Sequence, residues 1–317
     1  MIPAGGRTLA ETSEEELLAT IFATLPTRDE VMIGVGDDTA LLRVPTGSVL
    51  VTTDSMVLGR DWLDAWSSGH EVGHKVVVQN LADIAAMGGT STGVVVSLIA
   101  GRDTTIEWCR ALNEGIADAC RAENVAVLGG DLSSAPDGVR MVSITALGEL
   151  RDVPAVRRDG ARVGDVVAVS DLLGRSDAGL RLLQRGDVDH APELVDFHRR
   201  PVARLAAGPQ AARAGATSMM DVSDGLVRDG RRIATASGVR LDLDSALLRP
   251  LVNHLIALGE DAWSCVLTGG EEHTLLATFP RGKVPDDWYP IGEVVEGGDV
   301  TLDGRAQQGG GWDHFAG

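Results

Sequence analysis

The sequence predicts a two-domain protein of mixed α/β and α+β class. Three observations carry this. The chain has 317 residues, and one domain commonly takes roughly 100–200. Short apolar runs alternate with longer stretches of helical periodicity. Several of those runs follow each other too closely for helical crossovers, which argues against one doubly wound sheet. Residues 151–164 are polar, carry Pro154 and Gly160, and interrupt the pattern. Domains over 1–150 and 151–317 are therefore expected.

The elements follow in order. Residues 1–12 read as a loose arm. Ser13-Glu14-Glu15-Glu16 has the S-x-x-E form of a capping box. Leu17, Leu18, Ile21, Phe22 and Leu25 then keep helical spacing until Pro26 stops the helix. Strands are expected over 31–35, 49–53, 94–99, 125–128 and 141–147, and helices over 70–87 and 105–122. Gly88-Gly89 suits the end of the first of these helices. Beyond the boundary, strands are expected over 165–170, 218–220, 239–243, 265–267 and 274–279, with helices over 177–184 and 201–214. Aromatic residues make up only 3% of a chain that is 44% hydrophobic, so Ala, Val and Leu must build the core.

The net charge is −18. Such a surface repels the phosphates of nucleic acids and anionic membranes, so neither is an expected partner. Cys109, Cys120 and Cys265 form no C-x-x-C pair and are odd in number, and they read as reduced core thiols. No N-terminal signal pattern is visible, and no apolar run reaches the roughly 18 residues of a membrane span. A cytoplasmic location is expected.

One pattern recurs. Four apolar runs end in aspartate: 31–36 leads into Asp37-Asp38, 49–53 into Asp54, 125–130 into Asp131, and 218–220 into Asp221, followed by Ser223 and Asp224. Asp83 adds a carboxylate from a helix, with Asn80 and Met87 on the same face. Each aspartate alone reads as a turn or cap residue. Four together at strand ends, where α/β proteins gather sites, point to convergence. Two like charges about 4 Å apart repel by roughly 4 kcal/mol at an effective dielectric near 20. With few cations nearby in sequence, such carboxylates either protonate or hold cations, and Mg²⁺ with phosphate is the common case.

Rival motifs are weaker. His70-Glu71-Val72-Gly73-His74 is a literal H-E-x-x-H, the signature of zinc metallopeptidases. A third ligand is missing: Val77 and Asn80 stand where the extended form wants Gly and His, and no Glu occurs between Glu71 and Glu107. No P-loop or G-x-S-x-G occurs, and Gly34-x-Gly36 lacks the third glycine of a dinucleotide fingerprint. Gly129-Gly130 and Gly269-Gly270 could let a phosphate approach the backbone, or could be plain turns.

As an ordered set, the segments resemble one family. They are Gly34-Val-Gly-Asp-Asp-Thr-Ala40, Thr52-Thr-Asp-Ser55, Asn80-Leu-Ala-Asp-Ile-Ala-Ala-Met-Gly88, Gly129-Gly-Asp131, Asp221-Val-Ser-Asp-Gly-Leu226, Gly269-Gly-Glu271 and Trp312-Asp-His-Phe315. Nearly the whole chain is similar to the thiamine-monophosphate kinases, in the superfamily of aminoimidazole ribonucleotide synthetase. The resemblance implies the two-domain fold of that superfamily, with an N-terminal domain that binds ATP and Mg²⁺ and dimerises through its sheet, and a C-terminal α+β domain. It implies ATP-dependent phosphorylation of thiamine phosphate to thiamine diphosphate, with ATP and several Mg²⁺ ions held by carboxylates of both domains, in a homodimer. It assigns Asp37, Thr52, Thr53, Asp54, Asp83, Asp131, Asp221 and Asp224 to metal, and Gly130, Asp131, Arg158 and Ser223 to ATP. It assigns Asp61, Glu271 and Trp312 to the thiamine substrate, where a Trp face suits a cationic ring.

Two departures stand out. Asp61 occupies a position where the family commonly has His, and Glu272-His273 stands where it has Asp-Tyr. The acceptor, a phosphate oxygen, is already anionic near neutral pH. Direct in-line transfer is therefore expected, with no phosphoenzyme and no Ser–His or Cys–His pair at work, and with Asp54 and Asp83 bridging ions. The alternatives are another ATP-using phosphotransferase or synthetase of the superfamily, a non-catalytic ATP-dependent assembly protein, and a zinc metallopeptidase on His70 and His74.

Overall fold

The computed structural model describes residues 8, 21–22, 24–33, 41–307 and 311. The helix expected before Pro26 lies mostly outside this set, as do Asp37, Asp38 and Trp312. The chain forms two units, one of residues 1–84 with 91–149 and the other of residues 85–90 with 150–317.

The first unit contains β1 (Val31–Ile33), β2 (Leu41–Leu42), β3 (Leu50–Val57), α1 (Gly69–Ala86), β4 (Thr90–Gly101), α2 (Ile106–Ala122), β5 (Ala126–Ala135) and β6 (Arg140–Glu149). β1 and β2 form a small antiparallel pair, and the main sheet runs β3-β6-β4-β5. β4 and β5 are parallel and joined through α2, the right setting for a helical crossover. Thr105 starts α2 by accepting the Trp108 N–H at 3.2 Å. α1 and α2 approach closely because glycines face the contact. A Cβ on Gly73 would sit 2.2 Å from the Leu112 carbonyl oxygen, and one on Gly115 would sit 2.0 Å from that of His70. Val76, Val77, Leu81, Leu112, Ile116 and Ile144 are buried in this unit. Part of the sheet stays open, with Val51 60% and Val95 40% exposed.

The second unit contains β7 (Val166–Val169), α3 (Arg175–Arg185), α4 (Pro192–Arg199), α5 (Ala207–Ala214), β8 (Ser218–Asp221), α6 (Leu226–Ser237), β9 (Arg240–Leu243), α7 (Ser245–Asn253), α8 (Asp261–Thr268), β10 (Leu275–Phe279), β11 (Tyr289–Val295), β12 (Val300–Leu302) and β13 (Arg305–Ala306). Its sheet runs β13-β12-β9-β11-β7-β10-β8. β10 is buried along its whole length, and Phe279 packs edge-on against Trp288 with ring centroids 5.1 Å apart.

Several expectations need correction. The run at 265–267 is helical, part of α8, where Cys265 and Val266 face the core. A three-residue apolar run cannot distinguish a strand from the buried side of a helix. The helix expected over 201–214 begins only at Ala207: residues 201–204 are irregular and 205–206 form a turn, and Pro209 falls in the first helical turn, where its missing N–H costs no bond. β3 continues through Asp54 to Val57, and β5 through Asp131 to Ala135. The apolar run of β5 stops where that strand becomes exposed, not where it ends, whereas β3 is already exposed at Val51 within its run; among the described residues of this set, Asp221 closes its strand. Among the described residues no helix is long and apolar enough to cross a membrane, and the three cysteines are free and buried.

Candidate active site

In the first unit, alternation along β3 turns Thr52 and Asp54 toward α1 and Thr53 away from it. The Thr52 hydroxyl donates to Asp83 Oδ2 at 2.7 Å. The Asp54 N–H donates to Asn80 Oδ1 at 2.9 Å, and Asn80 Nδ2 donates to the Val76 carbonyl at 2.8 Å. Asn80 is fully buried, so it ties the backbone of β3 to the helix that carries Asp83 one turn later. The Thr53 hydroxyl bonds the Ile144 carbonyl at 3.0 Å on the opposite face. Asp83 is half-buried and Asp54 exposed.

Gly129, Gly130 and Asp131 lie on β5 beside Val95, Val96 and Ser97 of β4, just past a register shift. A Cβ on Gly130 would meet the Val96 carbonyl oxygen at 2.1 Å, so only glycine fits there. Asp131 is exposed and accepts a 2.7 Å bond from the Ser133 hydroxyl. Beside it opens a cavity of about 170 Å³, lined among others by Leu98, Leu112, Ile116 and Val127. Asp61 caps its own turn, accepting the Val57 N–H at 2.7 Å.

The H-E-x-x-H residues have other uses here. Glu71 accepts the Ser68 N–H at 2.6 Å and the Ser68 hydroxyl at 2.9 Å, a capping box that starts α1. His70 Nε2 lies 3.1 Å from Asp118 Oδ2. That contact, with Arg121 beyond it, holds the Asp118 carboxyl below its ordinary value.

In the second unit, Asp221 ends β8 and its Oδ2 lies 3.3 Å from His273 Nδ1. The turn after it is zipped to the 269–273 loop. The Val222 N–H donates to the Thr274 carbonyl at 2.8 Å, the His273 N–H to the Val222 carbonyl at 3.0 Å, and the Glu271 N–H to the Ser223 carbonyl at 2.8 Å. Glu271 and His273 both hold positive φ, 56° and 55°, which is uncommon for residues with side chains and marks a constrained loop. Asp224 Oδ2 is ion-paired with Arg232, and Arg228 Nε lies 3.6 Å away. The expectation that few cations stand near the carboxylates is therefore wrong for Asp224. Glu271 Oε2 lies 3.5 Å from His198 Nδ1. Arg158 is exposed, and its carbonyl accepts the Ser237 hydroxyl at 3.0 Å.

Buried charge marks this unit. Glu272 is completely buried. It accepts the Ser176 N–H at 2.5 Å, and its Oε2 lies 3.5 Å from Arg175 Nε. Burial pushes its carboxyl up to about 7, against the pull of Arg175. Asp229 is also fully buried; burial first, then the charge of Asp221, push it up to about 7.

The sequence reading missed Asp229, Arg228, Arg232 and His198. The two arginines were visible as i+4 and i+8 partners of Asp224. A Ser–His contact does occur: Ser176 Oγ and His198 Nδ1 are 3.0 Å apart. Ser176 is only 1% exposed, so this pair is part of the packing.

The donors that Thr52, Asp54, Asp83 and Asp131 offer are all hard oxygens, which suits Mg²⁺. Among the described residues no three His, Cys, Asp or Glu side chains cluster closely enough to cage an ion alone. Mg²⁺ commonly takes one or two carboxylates and completes its shell with water and substrate phosphates, so the residues fit.

Residues 36–150 match the family model for AIR synthase related protein, N-terminal domain, and residues 162–305 that for its C-terminal domain. The chain is 42% identical over 291 residues to the thiamine-monophosphate kinase of Mycobacterium tuberculosis, covering 90% of this chain and 86% of that one. It is similar to the crystal structure of thiamine-monophosphate kinase from Stenotrophomonas maltophilia, with TM-score 0.82, 30% identity, and 93% and 98% of the two chains covered. It is also similar to AaThiL complexed with AMPPCP and TMP, with TM-score 0.79, 32% identity, and 95% and 97% covered.

Proposed function

This chain belongs to the AIR synthase related proteins and, within them, to the thiamine-monophosphate kinases, and on that premise we propose that it transfers the γ-phosphoryl group of ATP directly to thiamine phosphate, with Mg²⁺, giving thiamine diphosphate and ADP. The observation that carries this reading is the paired geometry on β3 and α1. Asp54 is pinned through its own N–H by buried Asn80, and Asp83 is oriented by the Thr52 hydroxyl. The similarity to AaThiL, whose structure holds AMPPCP and TMP, supports the choice of substrates.

Asp54, Asp83 and Asp131 of the first unit, and Asp221 and Asp224 of the second, are the residues that would hold the ions, with Asp37 and the backbone or hydroxyls of Thr52 and Thr53. Bound Mg²⁺ supplies neutralisation of the two polyanions brought together. Gly130, where the close approach of β4 leaves no room for a side chain, is with Arg158 and Ser223 a proposed contact to ATP. Asp61, Glu271 and Trp312 are proposed contacts to the thiamine substrate. The acceptor oxygen needs no strong base, so the residues orient and bind, and none acts as a nucleophile.

A cytoplasmic homodimer completes the proposal. The partly open sheet of the first unit, with Val51 and Val95 exposed, supports self-association. The charge of −18 argues against nucleic acid as a partner. The test is an assay of the purified protein with ATP, given thiamine phosphate and thiamine in parallel. Thiamine diphosphate formed from the monophosphate alone is the expected result. No product from the monophosphate overturns the proposal.

A further inference from the structure

We propose that Asp229 is a positioning residue for the 222–225 turn, fixing both the main chain and the side chain of Asp224 for the nucleotide. The inference rests on the kinase reading above.

α6 starts without a side-chain cap, because its N-cap is Gly225. No other residue fits there: φ is 118°, and a Cβ would lie 2.6 Å from the Thr268 carbonyl oxygen. The first N–H groups of a helix still need acceptors. Asp229 reaches back from the first turn to the N-cap and to the residue before it. Its Oδ2 accepts the Asp224 N–H at 2.9 Å and the Gly225 N–H at 3.0 Å. Its Oδ1 pairs with Arg232, and another nitrogen of Arg232 binds the Asp224 carboxylate. One buried carboxylate thus holds Asp224 twice, directly by its amide and through Arg232 by its side chain. From the other side, the Ser223 carbonyl is held by the Glu271 N–H at 2.8 Å. The turn between is left with little freedom.

A plain helix cap would show up only in stability. A positioning residue must also change nucleotide binding. The experiment compares full-length wild type, Asp229→Ala and Asp229→Asn. It reads binding of Mg²⁺–AMPPCP by calorimetry, KM for ATP, urea midpoints, and amide exchange of the segment 222–226. Charge-assisted bonds of this kind predict about a tenfold weaker nucleotide binding in Asp229→Ala, with faster exchange in the segment and an unchanged KM for thiamine phosphate. Asparagine keeps an oxygen for the two N–H groups but loses Arg232, so it should fall between. A lowered urea midpoint with wild-type nucleotide binding overturns the proposal. If Asp229→Ala does not fold, wild-type binding and exchange in Asp229→Asn overturn it equally. Wild-type protein that binds the nucleotide but makes no thiamine diphosphate would instead refute the kinase reading, while the binding and exchange comparison would still decide the role of Asp229.

Discussion

Replacing Asn80 by alanine separates β3 from α1 at the point where both carry candidate ligands. Two effects set the magnitude. The Asp54 N–H, now bonded to Asn80 Oδ1 at 2.9 Å, loses its acceptor, and an unsatisfied buried donor costs about 1–3 kcal/mol. The missing carboxamide also leaves a void of roughly 40 Å³, which at about 24 cal/mol per Å³ adds about 1 kcal/mol. The Val76 carbonyl loses its bond to Asn80 Nδ2, but as a helical carbonyl it has a backbone donor within reach. The expected loss is therefore roughly 2–4 kcal/mol, read as a lowered urea midpoint. Turnover should fall by about tenfold as Asp54 drifts from its place. A variant with unchanged midpoint and unchanged turnover would refute the claim that Asn80 fixes the pair.

Asp83→Asn keeps the shape and an oxygen for Thr52 but removes the charge. Stability should stay within about 0.5 kcal/mol of wild type, while turnover falls by at least about a hundredfold; near-normal activity would remove Asp83 from the site. Gly130→Ala drives a Cβ against the Val96 carbonyl at 2.1 Å, and should cost about 1–3 kcal/mol by urea denaturation; a wild-type midpoint would show that the approach is not tight. Glu272 gives a pH prediction. Its folded value, about 7, lies above the ordinary 4.5, so between those values the folded state holds the extra proton and stability falls as pH rises. The share of this one buried group is at most about 3 kcal/mol. Glu272→Gln should flatten the fall in urea midpoint between pH 5 and pH 8, with Asp229 supplying what remains; an unchanged slope would contradict the assignment.

Much of the first unit was readable because its signals are local. Apolar runs gave β3, β4, β5 and β6, helical periodicity gave α1 and α2, and the spacing of Asn80 and Asp83 put both on one face of α1; that this face meets β3 is shown by the fold. Glu71 could have been read correctly too, since Ser68 three residues before it completes a capping box. The second unit was harder. Its strands are short, β12 having three residues and β13 two, and such lengths carry little periodicity. The partners that matter there are distant in sequence: Glu272 reaches Ser176, 96 residues away, and no spacing rule anticipates that. Asp229 stands among the charged residues Arg228, Arg231 and Arg232, a pattern that carries no sign of burial. Only the fold reveals that it faces inward.

At the centre stands a claim about chemistry: the protein orients two phosphates and contributes no atom to the transferred bond. ATP made chiral at its γ-phosphorus by oxygen isotopes tests this in a single turnover experiment with thiamine phosphate. One in-line displacement inverts the configuration in the thiamine diphosphate formed, which is the result expected. Retention would mean two displacements through a phosphorylated side chain, and would contradict the account.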